Sequence, residues 1–145
     1  MNPASFRAAC HAFCLALLAA APTAAPADDL PKFRQGLWEF KRSVDGGDGQ
    51  PAKLTNQKCT SPTDDMNKKT ESMAQAGCQA SPVTRSGNLY SFSLQCSIQG
   101  VEIESKSVIT VESDSAYTVD VESKQGGKAT REHLIARRLG DCEAG

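Results

Sequence analysis

From Asn88 to Arg138 the chain keeps apolar residues on alternate positions with polar ones between, a pattern that admits little besides half-buried β-strands. In NLYSFSLQCSI the apolar set is Tyr90, Phe92, Leu94, Cys96 and Ile98. In VEIESKSVITVE it is Val101, Ile103, Ile109 and Val111, with Ser105 and Ser107 in the same phase. Short turns separate these runs and set their register. Gln99-Gly100 pairs Ile98 with Val101, Cys96 with Ile103 and Tyr90 with Ile109. The loop Ser113-Asp114-Ser115 pairs Val111 with Tyr117 and Ile109 with Val119. Gly126-Gly127 pairs Val121 with Glu132, Val119 with Leu134 and Tyr117 with Ala136. Slipping any strand by one residue would turn its apolar set outward, so this register is strongly specified.

Upstream, GLWEFKRSV (36–44) alternates Trp38 and Phe40 with Leu37, Glu39 and Lys41. DGGDG (45–49) then turns the chain and PAKLTNQKC (51–59) returns, a first hairpin. DDLPKFR (28–34) before it reads as an exposed lead-in. One helix is expected within residues 60–77. Ser61 offers the N-cap, Pro62 the first helical position, Asp64 a capping-box spacing, and Gly77 the stop. Its apolar face is thin (Met66, Met73, Ala74), so it should lid a sheet rather than build a core. The expected fold is mainly β: a curled antiparallel meander of about seven strands in sequence order, barrel-like or half-barrel. One short helix follows the second strand, and two disulfides hold the domain.

The disulfides follow from the N-terminus. MNPASFRAACHAFCLALLAAAPTAAPADD has one charged residue, Arg7, before Asp28, then an Ala/Leu-rich run and an Ala25-Pro26-Ala27 cleavage pattern. This reads as a cleaved signal peptide, 1–27, ahead of a single disulfide-stapled β domain, 28–145. The apolar run is shorter than the roughly 20 residues a spanning helix needs. Export to the bacterial periplasm or medium is therefore expected, with no membrane span after cleavage. Without Arg7 the chain keeps 15 basic against 17 acidic residues, a formal charge of −2. That balance argues against nucleic acid or an anionic membrane as partner. Of six cysteines, Cys59, Cys78, Cys96 and Cys142 follow the leader. No pair has Cys-x-x-Cys spacing and His133 is the one remaining histidine, which argues against a metal site. A hairpin folded at Ser86-Gly87-Asn88 brings Cys78 opposite Cys96, and elimination leaves Cys59 with Cys142. Four cysteines admit three pairings, and spacing only weights this one.

The ending RRLGDC (137–142) fits that pairing, since Gly140-Asp141 can bend the chain so that Cys142 meets Cys59. The register points Arg138 inward near the rim and Arg137 outward with His133. An inward arginine needs a carboxylate or carbonyl partner, and Glu132, Asp141 and Glu39 are the candidates. A structural ion pair of Arg138 with Glu132 or Asp141 is the plainer reading; contact with an anionic ligand is the rival.

The signal peptide, Gly36-Leu37-Trp38-Glu39, Cys59-Thr60-Ser61-Pro62 ahead of an acidic helix, the two mid-chain cysteines and Arg137-Arg138-Leu139-Gly140-Asp141-Cys142 together resemble the bacterial domain-of-unknown-function family 3617. The resemblance runs from about Gly36 to Cys142. It implies a small exported envelope protein, and it carries over no catalytic residue because no activity is established for the family. Family members often have a Met- and Gly-rich middle, whereas this chain is Ser- and Glu-rich there.

The chemistry available is sparse. His133 lies on the outer face, away from any inward nucleophile, so a His-based triad is not expected. Glu102 and Glu104 share a face with Lys106 and read as a solvated surface. The informative positions are Ser105 and Ser107, which interrupt the inner face opposite Leu94 and Phe92. Either they border a cavity lined by Trp38, Phe40, Tyr90, Phe92 and Tyr117, or Met66 and Met73 fill the interior; filling is the favoured reading. The functional expectation is a monomeric, cofactor-free, non-enzymatic domain that binds a small apolar or amphipathic ligand or associates with the envelope. The alternative is a protein-interaction module, inhibitor or chaperone-like, acting on another envelope protein.

Overall fold

The computed structural model describes residues 29–46 and 50–143. The expected leader, 1–27, lies outside the described residues. Strands β1 (Gly36–Asp45) and β2 (Ala52–Thr60) precede helix α1 (Pro62–Gln75). β3 (Cys78–Ala80), β4 (Thr84–Ser86), β5 (Leu89–Ile98), β6 (Val101–Ser113), β7 (Ala116–Gln125) and β8 (Lys128–Gly140) follow. The strands form one open antiparallel sheet in the order β2-β1-β8-β7-β6-β5-β3, with β4 also on β5. Every cross-strand pair expected around the three tight turns is present, including Tyr90 with Ile109, Val111 with Tyr117 and Tyr117 with Ala136.

Two features depart from the expected meander. The strand after Cys78 is split at Ser81-Pro82, where proline lacks the N–H a ladder needs. Ser81 bridges the gap: its backbone N–H donates to the Ser93 carbonyl (2.8 Å) and its hydroxyl accepts from the Ser93 N–H (2.9 Å). The curled meander is otherwise as expected, and the other departure is where it stays open, between β2 and β3. The last strand lies beside the first, with Phe40 opposite Ala136 and Trp38 opposite Arg138. β2 and β3 thereby become the two edges of the sheet, and α1 must cross from one edge to the other.

The core sits at the rim where β1 begins. Trp38 and Ala136 are fully buried, and Ile109, Tyr117 and Tyr90 complete the cluster with Phe33. Phe33 overturns the expected exposed lead-in: its ring stacks on Tyr117 at 4.2 Å and meets Trp38 edge-on at 6.1 Å. The lead-in is held through its backbone at Arg34, whose N–H donates to the Asp114 carbonyl (2.9 Å) and whose carbonyl accepts from the Trp38 indole Nε1–H (3.0 Å). A lone aromatic among charges and a proline has no periodicity to betray its burial.

Arg138 organises the same rim. Its Nε–H donates to the Gln35 carbonyl (2.9 Å), its backbone N–H to the Ser115 carbonyl (2.9 Å), and its guanidinium pairs with Asp141. A Cβ at Gly36 would overlap the Gly140 carbonyl oxygen and come within 2.5 Å of Arg138 Nε, so only glycine lets the two strands close here. Glu132 is not a partner. It lies six residues up the same strand, about 20 Å away at the rise of a β-strand, and accepts from Arg42 at 2.9 Å instead. Glu39 pairs with Lys41 at 2.9 Å.

Helix α1 begins as expected, with Ser61 at the N-cap and Pro62 inside the first turn, and Gly77 (φ 90°) follows its C-cap. The expected capping box is absent, since the Ser61 side chain makes no cap bond. Asp65 anchors the helix start to β2, accepting from the Thr60 hydroxyl (2.7 Å) and the Lys58 ammonium (2.9 Å). Burial raises the Asp65 pKa, but those two donors, with the Lys68 charge, together outweigh it and hold the carboxyl below its usual range. A carboxyl depressed by folding contributes stability above its unfolded pKa and loses it as pH falls through the folded one. Asp65→Asn should therefore cost about 1 kcal/mol or less at neutral pH, given its partial exposure. Thermal melts at pH 7 and pH 3 check this: the gap between variant and wild type at the first should narrow at the second.

Candidate functional site

The concave face of the sheet carries the inward-phase residues of β1 and β5–β8, and α1 spans it diagonally. The helix leaves β2 at Thr60, opposite Gly36 on the Trp38 rim. It delivers the chain to Cys78, opposite Cys96 and next to the Gln99-Gly100 turn on the other rim. Both ends of this strap are pinned by disulfides. Cys59 bonds Cys142 just before the helix, and Cys78 bonds Cys96 just after it. The pairing weighted by spacing is thus the one present.

A cavity of about 480 Å³ lies between strap and sheet. Its volume falls within the range of small-molecule sites. Phe40, Phe92, Ile109, Val119 and Leu134 supply apolar wall, and Met66 and Met73 supply the helix side. Ser105, Ser107 and Ser123 form its polar floor; Ser123 pairs with Ser105 across β6 and β7. The favoured filling by methionines is overturned. Met66 packs on the core cluster and Met73 lines the space, yet neither closes it. The physical reason is twofold. The helix is tethered at opposite rims, which holds it off the sheet, and the serines put no bulk where larger residues would meet it.

Of the seven residues expected to line a cavity, Phe40, Phe92, Ser105, Ser107 and Tyr117 do so. Trp38 and Tyr90 do not: both are buried in the core cluster beneath it, among Phe33, Ile109 and Tyr117. Tyr117 belongs to both, and burial, with the nearby Asp65 charge, pushes its phenol well above the ordinary tyrosine range. Its hydroxyl therefore stays neutral at physiological pH. Sequence reasoning missed Arg42, Asn56 and Lys69, which also line the space. The inward phase of β1 does run on from Trp38 and Phe40 to Arg42. A charged residue at that phase carries no hydrophobic signal, and Asn56 and Lys69 join only through β1–β2 pairing and the helix crossing.

The remaining polar groups sit outside. His133 faces Asp120 across β7 and β8 on the outer face, with Nδ1 2.6 Å from the carboxylate. Arg137 reaches Glu112 at 3.7 Å. Glu102, Glu104 and Lys106 are solvent-exposed. Among the described residues no group of three or more His, Cys, Asp or Glu side chains could hold a metal ion, and no helix is long and apolar enough to cross a membrane. The geometry offers a pocket with polar and apolar walls.

Compared with known proteins, residues 33–142 match the model of a family described as a protein of unknown function (DUF3617). No curated protein and no solved structure matches the chain.

Proposed function

The chain belongs to the DUF3617 family, a membership that brings no activity with it, and we propose that it is an exported, non-enzymatic binding protein for a small apolar or amphipathic ligand. The observation that carries this reading is the cavity of about 480 Å³ beneath a helix pinned at both ends. An unfilled apolar wall forfeits dispersion contacts that a ligand restores, which is the driving force such a site offers. Support for export comes from the leader-like start and from the two disulfides, which form and persist in oxidising compartments.

Two measurements test the reading. Native mass spectrometry of protein taken from a bacterial periplasm should show a discrete adduct that denaturation releases. A neutral naphthylamine dye, fluorescent in apolar surroundings, should bind the stripped protein, and Ser107→Leu should weaken it at least about tenfold by occupying the floor. The thermal midpoint of that variant should hold or rise, since the new side chain fills space instead of displacing neighbours. A bare native species together with a dye that does not bind overturns the proposal.

The second reading, a protein-interaction module, rests on β2. All of this strand except Thr60 is exposed, and it pairs on one side only. Its free edge could accept a strand from a partner, and crosslinking in the periplasm would then capture one protein specifically.

A further inference from the structure

Resting on the ligand-binding reading above, we propose that the ligand is a single-tailed amphiphile with a carboxylate head, held tail-inward against Phe92, Ile109 and Met66 with its head at Lys69. The diagonal course of α1 places the cavity's mouth. At the Trp38 rim the helix start, the buried Pro62 and the lead-in residues Leu30 and Phe33 close the space. Towards the opposite rim the helix has moved across to β3, and the β1–β8 side is left uncovered. Arg42, Glu132 and Asn56 line the cavity there, with Lys69 and Thr70 facing them from the helix.

The charged lining residues balance as two basic against two acidic, but Lys58, outside the lining, already neutralises Asp65 and so leaves Lys69 without a counter-ion among the described residues. Arg42 and Glu132 neutralise each other at 2.9 Å. Asp65 is satisfied by Lys58 and Thr60. Lys69 is the one charged side chain among the described lining residues that pairs with no other. It lies on the same helical stripe as Asp65, Met66 and Met73, at spacings of three and four residues, so it flanks the apolar wall. A single unpaired ammonium beside an apolar cavity complements one negative charge on an otherwise apolar molecule. A cationic or doubly charged head would meet either repulsion or too few donors.

The test uses the mature protein, the naphthylamine dye, and two displacing ligands of equal tail, dodecanoate and dodecanol. Comparing each across variants removes the difference in their own hydrophobicity. The expected result is that Lys69→Gln shifts the ratio of the two displacing concentrations about fivefold against dodecanoate. Lys68→Gln, the neighbouring charge outside the cavity lining, should leave the ratio at its wild-type value. If the dye binds but Lys69→Gln leaves the ratio unchanged, the carboxylate head is wrong and the apolar cavity reading stands. If the same shift appears in Lys68→Gln, the effect is general helix charge and the assignment of Lys69 falls. A dye that does not bind wild type removes the binding reading itself, and this inference with it.

Discussion

Trp38→Ala should lower stability by about 4 kcal/mol, among the largest single losses available to a chain of this size. Trp38 is fully buried, with ring centroids of Tyr117 at 5.6 Å, Phe33 at 6.1 Å and Phe40 at 6.3 Å. Truncation leaves a cavity at the rim where the lead-in, β1, β7 and β8 converge. It also removes the indole donor that satisfies the Arg34 carbonyl. Trp38→Phe should cost less, because it keeps a ring in the cluster and loses the hydrogen bond and part of the volume. Urea unfolding followed by far-ultraviolet circular dichroism measures both, since Trp38 is the sole tryptophan and its fluorescence is lost with it. A loss below about 1 kcal/mol for Trp38→Ala would mean that the lead-in and Phe33 do not pack as described.

Replacing Cys59 and Cys142 together with serine should cost about 4.5 kcal/mol by the chain-entropy relation, because the bond spans a sequence separation of 83. Removing Cys78–Cys96, with a separation of 18, should cost about 3 kcal/mol. The first loss corresponds to a fall in thermal midpoint of roughly 15–20 °C. The order of the two losses is the sharper check, for packing alone predicts the reverse. Cys78 and Cys96 are buried, while Cys59 is exposed. The functional consequence should separate them too. Without Cys59–Cys142 the helix strap keeps its anchor at Cys78 but loses covalent restraint at Pro62, so dye affinity should fall even where the domain remains folded. Unchanged affinity in the folded double variant would show that Lys58, Thr60 and Asp65 suffice to seat the helix.

Much of the sheet is legible in the sequence because its hairpins are local. A two-residue turn between alternating runs leaves one register that keeps apolar residues on one face. The pairs around Gln99-Gly100 and Gly126-Gly127 follow from nothing more. The candidate site is less legible. Ser105 and Ser107 mark it, as small polar residues where apolar ones are due, and five of the seven expected lining residues are in place. The inclusion of Trp38 and Tyr90 failed for a geometric reason. Sharing an inward phase says which face a side chain takes, and says nothing about how far along the strand the cavity extends.

The hairpins about the tight turns with their register, the single helix and the weighted disulfide pairing can be read from the chain alone, because each rests on contacts within one hairpin or on counting. The rest depends on pairing between distant segments. β8 lies beside β1, which turns β2 and β3 into opposite edges and sends α1 diagonally across the concave face. That crossing holds the methionines off the serine floor and leaves the cavity. It also brings Lys69 into one lining with the Arg42–Glu132 pair, while Phe33, ahead of β1, packs into the core from the lead-in. No local pattern encodes these placements, since they arise only when a curled sheet brings its first and last strands together.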